Sequence, residues 1–571
     1  MSSPGPRRRG LSVPRPGRGW WVPAWAVLLA VVLLGPALAP GLVLSYDMVW
    51  VPDLTLRSDF LGLGSSLPRA VPSDAVVSVL DEVVAGWVLQ KLVLLLPLVG
   101  GALGVVRPLR DLPLPARLVA VSLFVWNPFV AERLVMGHWP VLVGYGVLPW
   151  VLLLGRRWRV ERRLPAALPV LVVAGSLSAS AGVVTAVALV ASVGLGSRAR
   201  AAVAVGLVAA ANAPWVVSGL LHAAAGRSDP AGAAAFALSG EGSLPAPLAA
   251  LSLGGIWNSE VVPHSRTGIL AWVSLLVLLA LAVAGGQRWW SRGRRDAVTL
   301  AICWGVGLGL ALLTWASPDA VAWVAAHVPG GGLLRDGSRQ LALCVPLVAS
   351  LAAVGTARVL EWMEDAGAVM VAAALVLLPV LLLPDAALGV DGRLRAVDFP
   401  RDYAEARAAI DEDAGPGDVL LLPLASYRQP AWNAGRKVLD PTGRYQSRDF
   451  VTSDALVVSG TVIEGEDPRV AEVARALDLP TPDERADALV RAGIGVVITD
   501  LEAPGEPPEV AGEPLLRGSR LEVSALDGAR SPSPPAGWLW AMAAAWAAFV
   551  VPPAGVAVAA VVRRRRRRDT P

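Results

Sequence analysis

Charge is scarce in this chain. Asp, Glu, Lys and Arg make up 17% of its 571 residues, where a soluble domain carries about a quarter. Lysine is nearly absent. The two cysteines, Cys303 and Cys344, both fall in apolar segments, which leaves no disulfide framework and makes buried structural thiols the expectation. The four histidines stand at no metal-ligand spacing, and HxxxH, HExxH and CxxC are all missing. No P-loop, GxSxG or well-placed GxGxxG occurs, so neither nucleotide hydrolysis nor ordinary secreted hydrolase chemistry is expected.

What the chain has instead is apolar length. Hydrophobic residues make up 54% of it, in long runs that recur through the first two thirds, the mark of a polytopic membrane protein. The small basic excess, net +4, is carried by Arg clusters in short stretches between those runs. That is the positive-inside pattern, and no nucleic-acid partner is expected from it. The bias toward Ala, Val, Gly, Pro and Arg is that of a high-GC genome such as an actinobacterium's.

Twelve membrane helices with both termini cytoplasmic put every Arg-rich short loop on one side of the plasma membrane. Residues 1–19, basic and rich in Pro and Gly, read as a disordered cytoplasmic tail. The first helix, 20–44, ends in APGLVLSYD without an A-x-A site and is expected to be retained. Helices follow at 85–106, 118–131, 140–155, as a short pair within 164–196, and at 201–219, 269–285, 297–315, 341–358 and 367–384. Three longer loops, 45–84, 220–268 and 316–340, face outward from the transmembrane domain 20–385. Residues 386–536 change character: hydrophobicity falls, acids outnumber bases, and helix and strand patterns alternate, as in a small extracytoplasmic α/β domain. DYAEARAAIDEDAG, DPRVAEVARALDL and DERADALVRAG read as helices, the last capped by Gly493. Residues 418–424, 437–440 and 494–500 read as strands. The last helix, 537–562, is held by RRRRRR in a cytoplasmic tail, 563–571.

Loop 45–84 gathers Asp47, Asp53, Asp59, Asp74, Asp81 and Glu82 beside Arg57 and Arg69 at the outer end of the first helix. Such a loop either solvates a connection or carries polar chemistry at the bilayer surface. Threading places it in one compartment with Glu132, Arg133 and His138 of the turn WNPFVAERLVMGHWP, with His264 of the second long loop, and with Arg335 and Arg339 of VPGGGLLRDGSRQ. Any one histidine is more often an interface residue than a ligand, and RDGSR by itself reads first as a turn and interface anchor. Lys91, inside the second helix, either snorkels to the interface or faces the loop acids or a phosphate. A hard divalent ion, Mg or Mn, held by Asp47 and Asp53 with water, is the one cofactor these acids admit.

Taken together, these features resemble the GT-C superfamily of membrane glycosyltransferases. They are SYDMVWVPDLTLRSDF just after helix one, many apolar helices with short turns, the NPFVAERLVMGHWP turn, and the outer C-terminal domain. More narrowly, the chain resembles actinobacterial envelope arabinofuranosyltransferase-like proteins, with GLLRDGSRQ before a late helix and LLPLASYRQPAWN opening the outer domain. The resemblance implies sugar transfer from a polyprenyl-phosphate donor, entering sideways between helices, to an envelope glycan or glycolipid on the outer face. It implies Asp47 as base and Asp53 as its partner or metal ligand. Lys91, Glu132, Arg133, His138, His264, Arg335 and Arg339 are then the candidates for holding the substrates, the arginines at the phosphate. Two other readings stand beside it: a transporter or flippase of a lipid-linked precursor, and a non-catalytic envelope-assembly scaffold on the same fold. The first calls for paired intramembrane charges and internal repeats, and the helices carry few charges and no obvious repeat.

Overall fold

A computed structural model describes residues 19–568 apart from 195, 224–228, 329 and 459. Residues 1–18 of the expected N-terminal tail and 569–571 of the C-terminal one lie outside the described residues.

Among the described residues, nine helices are long and apolar enough to cross a bilayer. They are Trp21–Leu38, Gly86–Leu109, Leu114–Val135, Trp139–Glu161, Arg198–Leu221, Ile269–Arg292, Arg294–Ala316, Gly337–Glu361 and Ala536–Ala559. The pair Ala366–Leu382 and Pro384–Asp391, bent by 69°, makes a tenth if taken as one span. The chain is a multi-pass membrane protein with a small sheet domain near its C-terminus. The expected count of twelve is corrected at 164–196. There the two helices, Ala167–Ala174 and Ala179–Val193, have 8 and 15 residues. At 1.5 Å per residue neither bridges a hydrocarbon layer of about 30 Å. Ser178, whose hydroxyl accepts the Ala181 N–H, starts the second helix afresh.

Leu114–Val135 is the centre of the bundle: 94% of its apolar window is buried, against 17% for Ala536–Ala559. The span is broken at Trp126. Asn127 caps the second piece, Pro128–Val135, its side-chain oxygen accepting the Val130 N–H at 3.0 Å, with Pro128 at the first helical position. Asn127 Nδ2 donates to the Leu123 carbonyl at 2.8 Å, so the break leaves that group satisfied. All eight residues of Pro128–Val135 are buried, Glu132 and Arg133 included. Elsewhere the helices Ile269–Arg292 and Val345–Glu361 meet at Gly355, where a Cβ would stand 2.1 Å from the Leu281 carbonyl oxygen.

The sheet domain near the C-terminus is built on five strands: β1 (Asp418–Leu422), β2 (Phe450–Val451), β3 (Ile494–Asp500), β4 (Glu513–Arg517) and β5 (Leu521–Ala525). The order is β4-β5-β3-β1-β2, with β1 parallel to β2 and β3 and with β5 antiparallel to β3 and β4. Val419, Leu421, Val496 and Ile498 pack against Tyr403, Ala406 and Ile410 of the helix Arg401–Asp413. Leu420, Leu422 and Val497 face the helices Pro468–Leu477 and Pro482–Arg491 on the other side. Covered on both faces, β1 and β3 are near-continuous apolar runs, which is why they stand out in the sequence. Strands β4 and β5 lie at the half-exposed edge and carry no such run.

This domain is stitched to residues 42–84, the first helix ending by Leu38 rather than at 44. Leu42–Val43 pairs antiparallel with Ala396–Val397, and Tyr46 bridges to Val438. Buried Arg57 donates to the carbonyls of Gly443 and Arg448 at 2.8 and 2.7 Å, and Arg444 meets buried Asp74 at 2.5 Å. The loop is therefore roofed by protein rather than solvated.

Candidate active site

Three turns from distant parts of the chain meet at Asp47. Gly137, at φ +79°, is the seat: a Cβ there would stand 2.2 Å from the Met48 nitrogen and 2.5 Å from the Ser45 oxygen. With no side chain in the way, Ser45 Oγ donates to the Val135 carbonyl at 2.6 Å, and the Asp47 N–H to the Met136 carbonyl at 3.1 Å. His138, the next residue, is thereby set beside Asp47, with Nε2 3.3 Å from Oδ2. From the third turn, Asp336 accepts from Arg133 Nη1 at 3.2 Å and from Arg339 Nε at 2.8 Å. Ser338 Oγ donates to Asp336 Oδ1 at 2.5 Å and accepts from Arg133 Nη2. Arg339 Nη2 lies 3.4 Å from His138 Nε2, and its Nη1 lies 3.5 Å from Ser180 Oγ in the short helix Ala179–Val193. The sheet domain adds Tyr427, whose hydroxyl donates to Asp47 Oδ1 at 2.6 Å.

The protonation pattern follows from who can donate. Arg133 Nη1, 3.0 Å from His138 Nδ1, has only hydrogens to offer, so Nδ1 must present its lone pair. The ring proton then sits on Nε2, where Asp47 Oδ2 at 3.3 Å accepts it, and the longer 3.4 Å approach of Arg339 Nη2 to the same nitrogen is a contact between two donors rather than a hydrogen bond. Burial, with Arg339 and Arg133 adding to it, pulls the imidazole down to about 4. Burial alone would raise the Asp47 carboxyl, but the His138 hydrogen bond, the Tyr427 hydroxyl and Arg339 outweigh it and hold Asp47 below its ordinary value. Burial acts the same way on Asp336, and Arg133 and Arg339 hold that carboxyl well below the usual range. The result at neutral pH is a neutral His138 between an ionised Asp47 and two guanidiniums. Asp47 keeps 38% of its side chain exposed and Arg339 32%, while Arg133 is sealed at 1%. An open carboxylate thus stands next to an open cation, which is an arrangement that can take a proton from one group and offset negative charge on another.

The other sequence candidates lie apart from this cluster. Asp53 is ion-paired to Arg407 of the sheet domain at 2.9 Å, and Arg335 to Glu466 at 2.7 Å. Glu132 is buried facing Glu241, which in turn holds Arg266 at 2.6 Å. His264 is exposed in a short turn, and Lys91 Nζ lies 3.4 Å from Gln90 Oε1. Among the described residues no three His, Cys, Asp or Glu side chains converge as metal ligands. With Asp53 ion-paired to Arg407, and with His138 and the Arg339 cation rather than a second carboxylate next to Asp47, this pair does not fit a divalent ion.

A cavity of about 330 Å³ lies elsewhere, lined by Ser58, Ser65, Asp418, Arg448, Asp449 and Ser531 among others. Its charged groups already have partners. Asp418 is held by Arg469 at 2.5 Å and Ser531 at 2.7 Å, and Arg448 by the Ile410 and Ala414 carbonyls. Sequence reasoning passed over Asp336 and Tyr427. Both stood inside quoted motifs, GLLRDGSRQ and LLPLASYRQPAWN, but neither has a spacing that ties it to Asp47.

No family model matches the chain, and no curated protein matches it in sequence. Among solved structures it is similar to the arabinofuranosyltransferase AftD from Mycobacteria, at 18% identity and a TM-score of 0.52. The match covers 89% of this chain and 41% of AftD, so the chain spans about two fifths of that structure's length. ArnT from Cupriavidus metallidurans aligns at 15% identity and a TM-score of 0.39, over 88% of this chain and 96% of ArnT. The oligosaccharyltransferase AglB from Archaeoglobus fulgidus aligns at 12% and 0.31, over 84% of this chain and 69% of AglB. The chain has a fold resembling that of AftD.

Proposed function

We propose that this protein transfers a sugar from a polyprenyl-phosphate donor to an envelope glycan or glycolipid at the outer surface of the plasma membrane. Both termini are then cytoplasmic, and loop 45–84 and the sheet domain are outside. The observation that carries the reading is the open, ionised Asp47 beside the open guanidinium of Arg339, on a fold of this kind. In the proposed reaction Asp47 takes the proton from an acceptor hydroxyl. The acceptor oxygen attacks the anomeric carbon, and the bond from that carbon to the phosphate oxygen breaks. The phosphate leaves with the electron pair, and Arg339 offsets its charge, with Arg133 behind it. General-base catalysis of this kind contributes about 10²–10⁴-fold. No step is assigned to a metal ion, because Asp47 and Asp53 do not form a ligand pair.

The test is purified protein in lipid vesicles with radiolabelled polyprenyl-phosphate pentoses and hexoses and an envelope glycan acceptor. Wild type should transfer label, and Asp47→Asn, expressed to the same level, should not. Equal transfer by the variant would remove Asp47 from the mechanism. Movement of lipid-linked sugar between leaflets with no transfer would favour the transporter reading.

A further inference from the structure

Asp47 is held from both sides by different parts of the chain. His138, from the membrane domain, faces Oδ2, and Tyr427, from the outer domain, faces Oδ1. Tyr427 lies on the short strand Tyr427–Arg428, which pairs antiparallel with Val438–Leu439. That second strand is bonded to the residue just before the carboxylate: the Tyr46 N–H donates to the Lys437 carbonyl at 2.9 Å, and the Leu439 N–H to the Tyr46 carbonyl at 2.8 Å. Tyr46 itself sits at φ +44°, a left-handed conformation that a non-glycine residue adopts at a cost. Its hydroxyl donates to Glu260 Oε2 at 2.6 Å, and Lys437 Nζ to the same oxygen at 2.7 Å. The outer domain therefore extends a small ladder over the loop, and Tyr427 comes down from that ladder onto the carboxylate.

We infer that Tyr427 is a positioning residue for Asp47, supplied by the outer domain, so that the base is fully assembled only when that domain is docked on the first outer loop. The inference rests on the reading of Asp47 as base. A carboxylate with one donor can turn about its Cβ–Cγ bond. Donors on both oxygens fix its plane and leave the remaining lone pairs facing the acceptor. The ring of Tyr427 contributes an edge contact to Tyr46 at 6.2 Å, which a phenylalanine would keep. The hydroxyl alone is therefore separable from the packing.

The experiment compares wild type, Tyr427→Phe and protein carrying 2,3,5-trifluorotyrosine at 427, all full length in vesicles, over a range of pH. The hydroxyl hydrogen bond favours the ionised carboxylate. Tyr427→Phe should lower kcat by about tenfold and move the acid limb of the rate profile up in pH, with donor KM unchanged. The fluorinated phenol is a stronger donor and should move the same limb down. An unmoved limb in both proteins, or a loss equal at every pH, would overturn the inference. If Asp47→Asn is inactive and the limb does not move, this inference alone fails. If Asp47→Asn is active, the proposed function fails with it.

Discussion

The guanidinium of Arg133 stands 3.0 Å from Nδ1 of His138, and this contact sets the state of the imidazole. A permanent donor occupies the position where a second ring proton would have to go. His138 is thus kept as a one-proton donor toward Asp47 and does not compete with it for the acceptor's proton.

Stability should fall as the pH drops from about 6.5 to about 4. The unfolded imidazole takes up a proton near its ordinary 6.5, while the folded one resists down to about 4. The contribution is complete above the unfolded value and is lost as pH falls toward the folded one, by at most about 3 kcal/mol. His138→Gln should flatten this part of the profile. Thermal unfolding in detergent at several pH values checks it, and equal slopes for the two proteins would refute it.

Arg339→Met should lower kcat/KM for the lipid donor by about 10²–10³-fold, the scale for loss of one electrostatic stabiliser. Arg339→Lys should recover part of that loss, since the charge remains but the fork does not. Arg335→Met removes a contact to Glu466, away from Asp47, and should leave transfer within about twofold. Initial rates separate the three.

Chelation with EDTA should leave transfer within about twofold, because guanidiniums rather than a ligand pair stand next to Asp47. A large loss restored by Mg²⁺ or Mn²⁺ would place an ion at Asp47 after all.

The Asp59 N–H donates to Asp449 Oδ1 at 3.2 Å, and the two half-buried acids face each other where the loop meets the sheet. Burial, and then Asp449, push the Asp59 carboxyl well above its ordinary value. Its stabilising contribution is complete at low pH and is lost as pH rises through the raised value. Asp59→Asn should therefore raise Tm by roughly 2 °C at pH 8 and by less at pH 4.5. A gain that does not grow with pH would show that the two acids are not competing.

Much of the architecture was legible in the sequence because it depends on neighbours along the chain. Apolar runs mark the spans and Arg clusters mark their ends, whereas WNPFVAERLVMGHWP, read as a turn, holds the helix Pro128–Val135 capped by Asn127. The buried runs of β1 and β3 marked the sheet domain. The segment 164–196 misled because apolar length was read as crossing length, while Ser178 restarts the helix after the Ala167–Ala174 piece.

The sequence by itself determined that this is a multi-pass membrane chain with acids just after its first helix and a separate mixed domain near its C-terminus. Only the tertiary structure decided which of those acids stands beside His138, Arg339 and Tyr427. Asp47 and Asp53 are six residues apart and look alike in the sequence, yet one meets His138 and Tyr427 and the other meets Arg407. The physical reason is distance along the chain. Periodicity reports the burial of a segment, whereas the direction of a carboxylate depends on what packs over it. Here that is the side-chain-free seat at Gly137 and a strand nearly four hundred residues away.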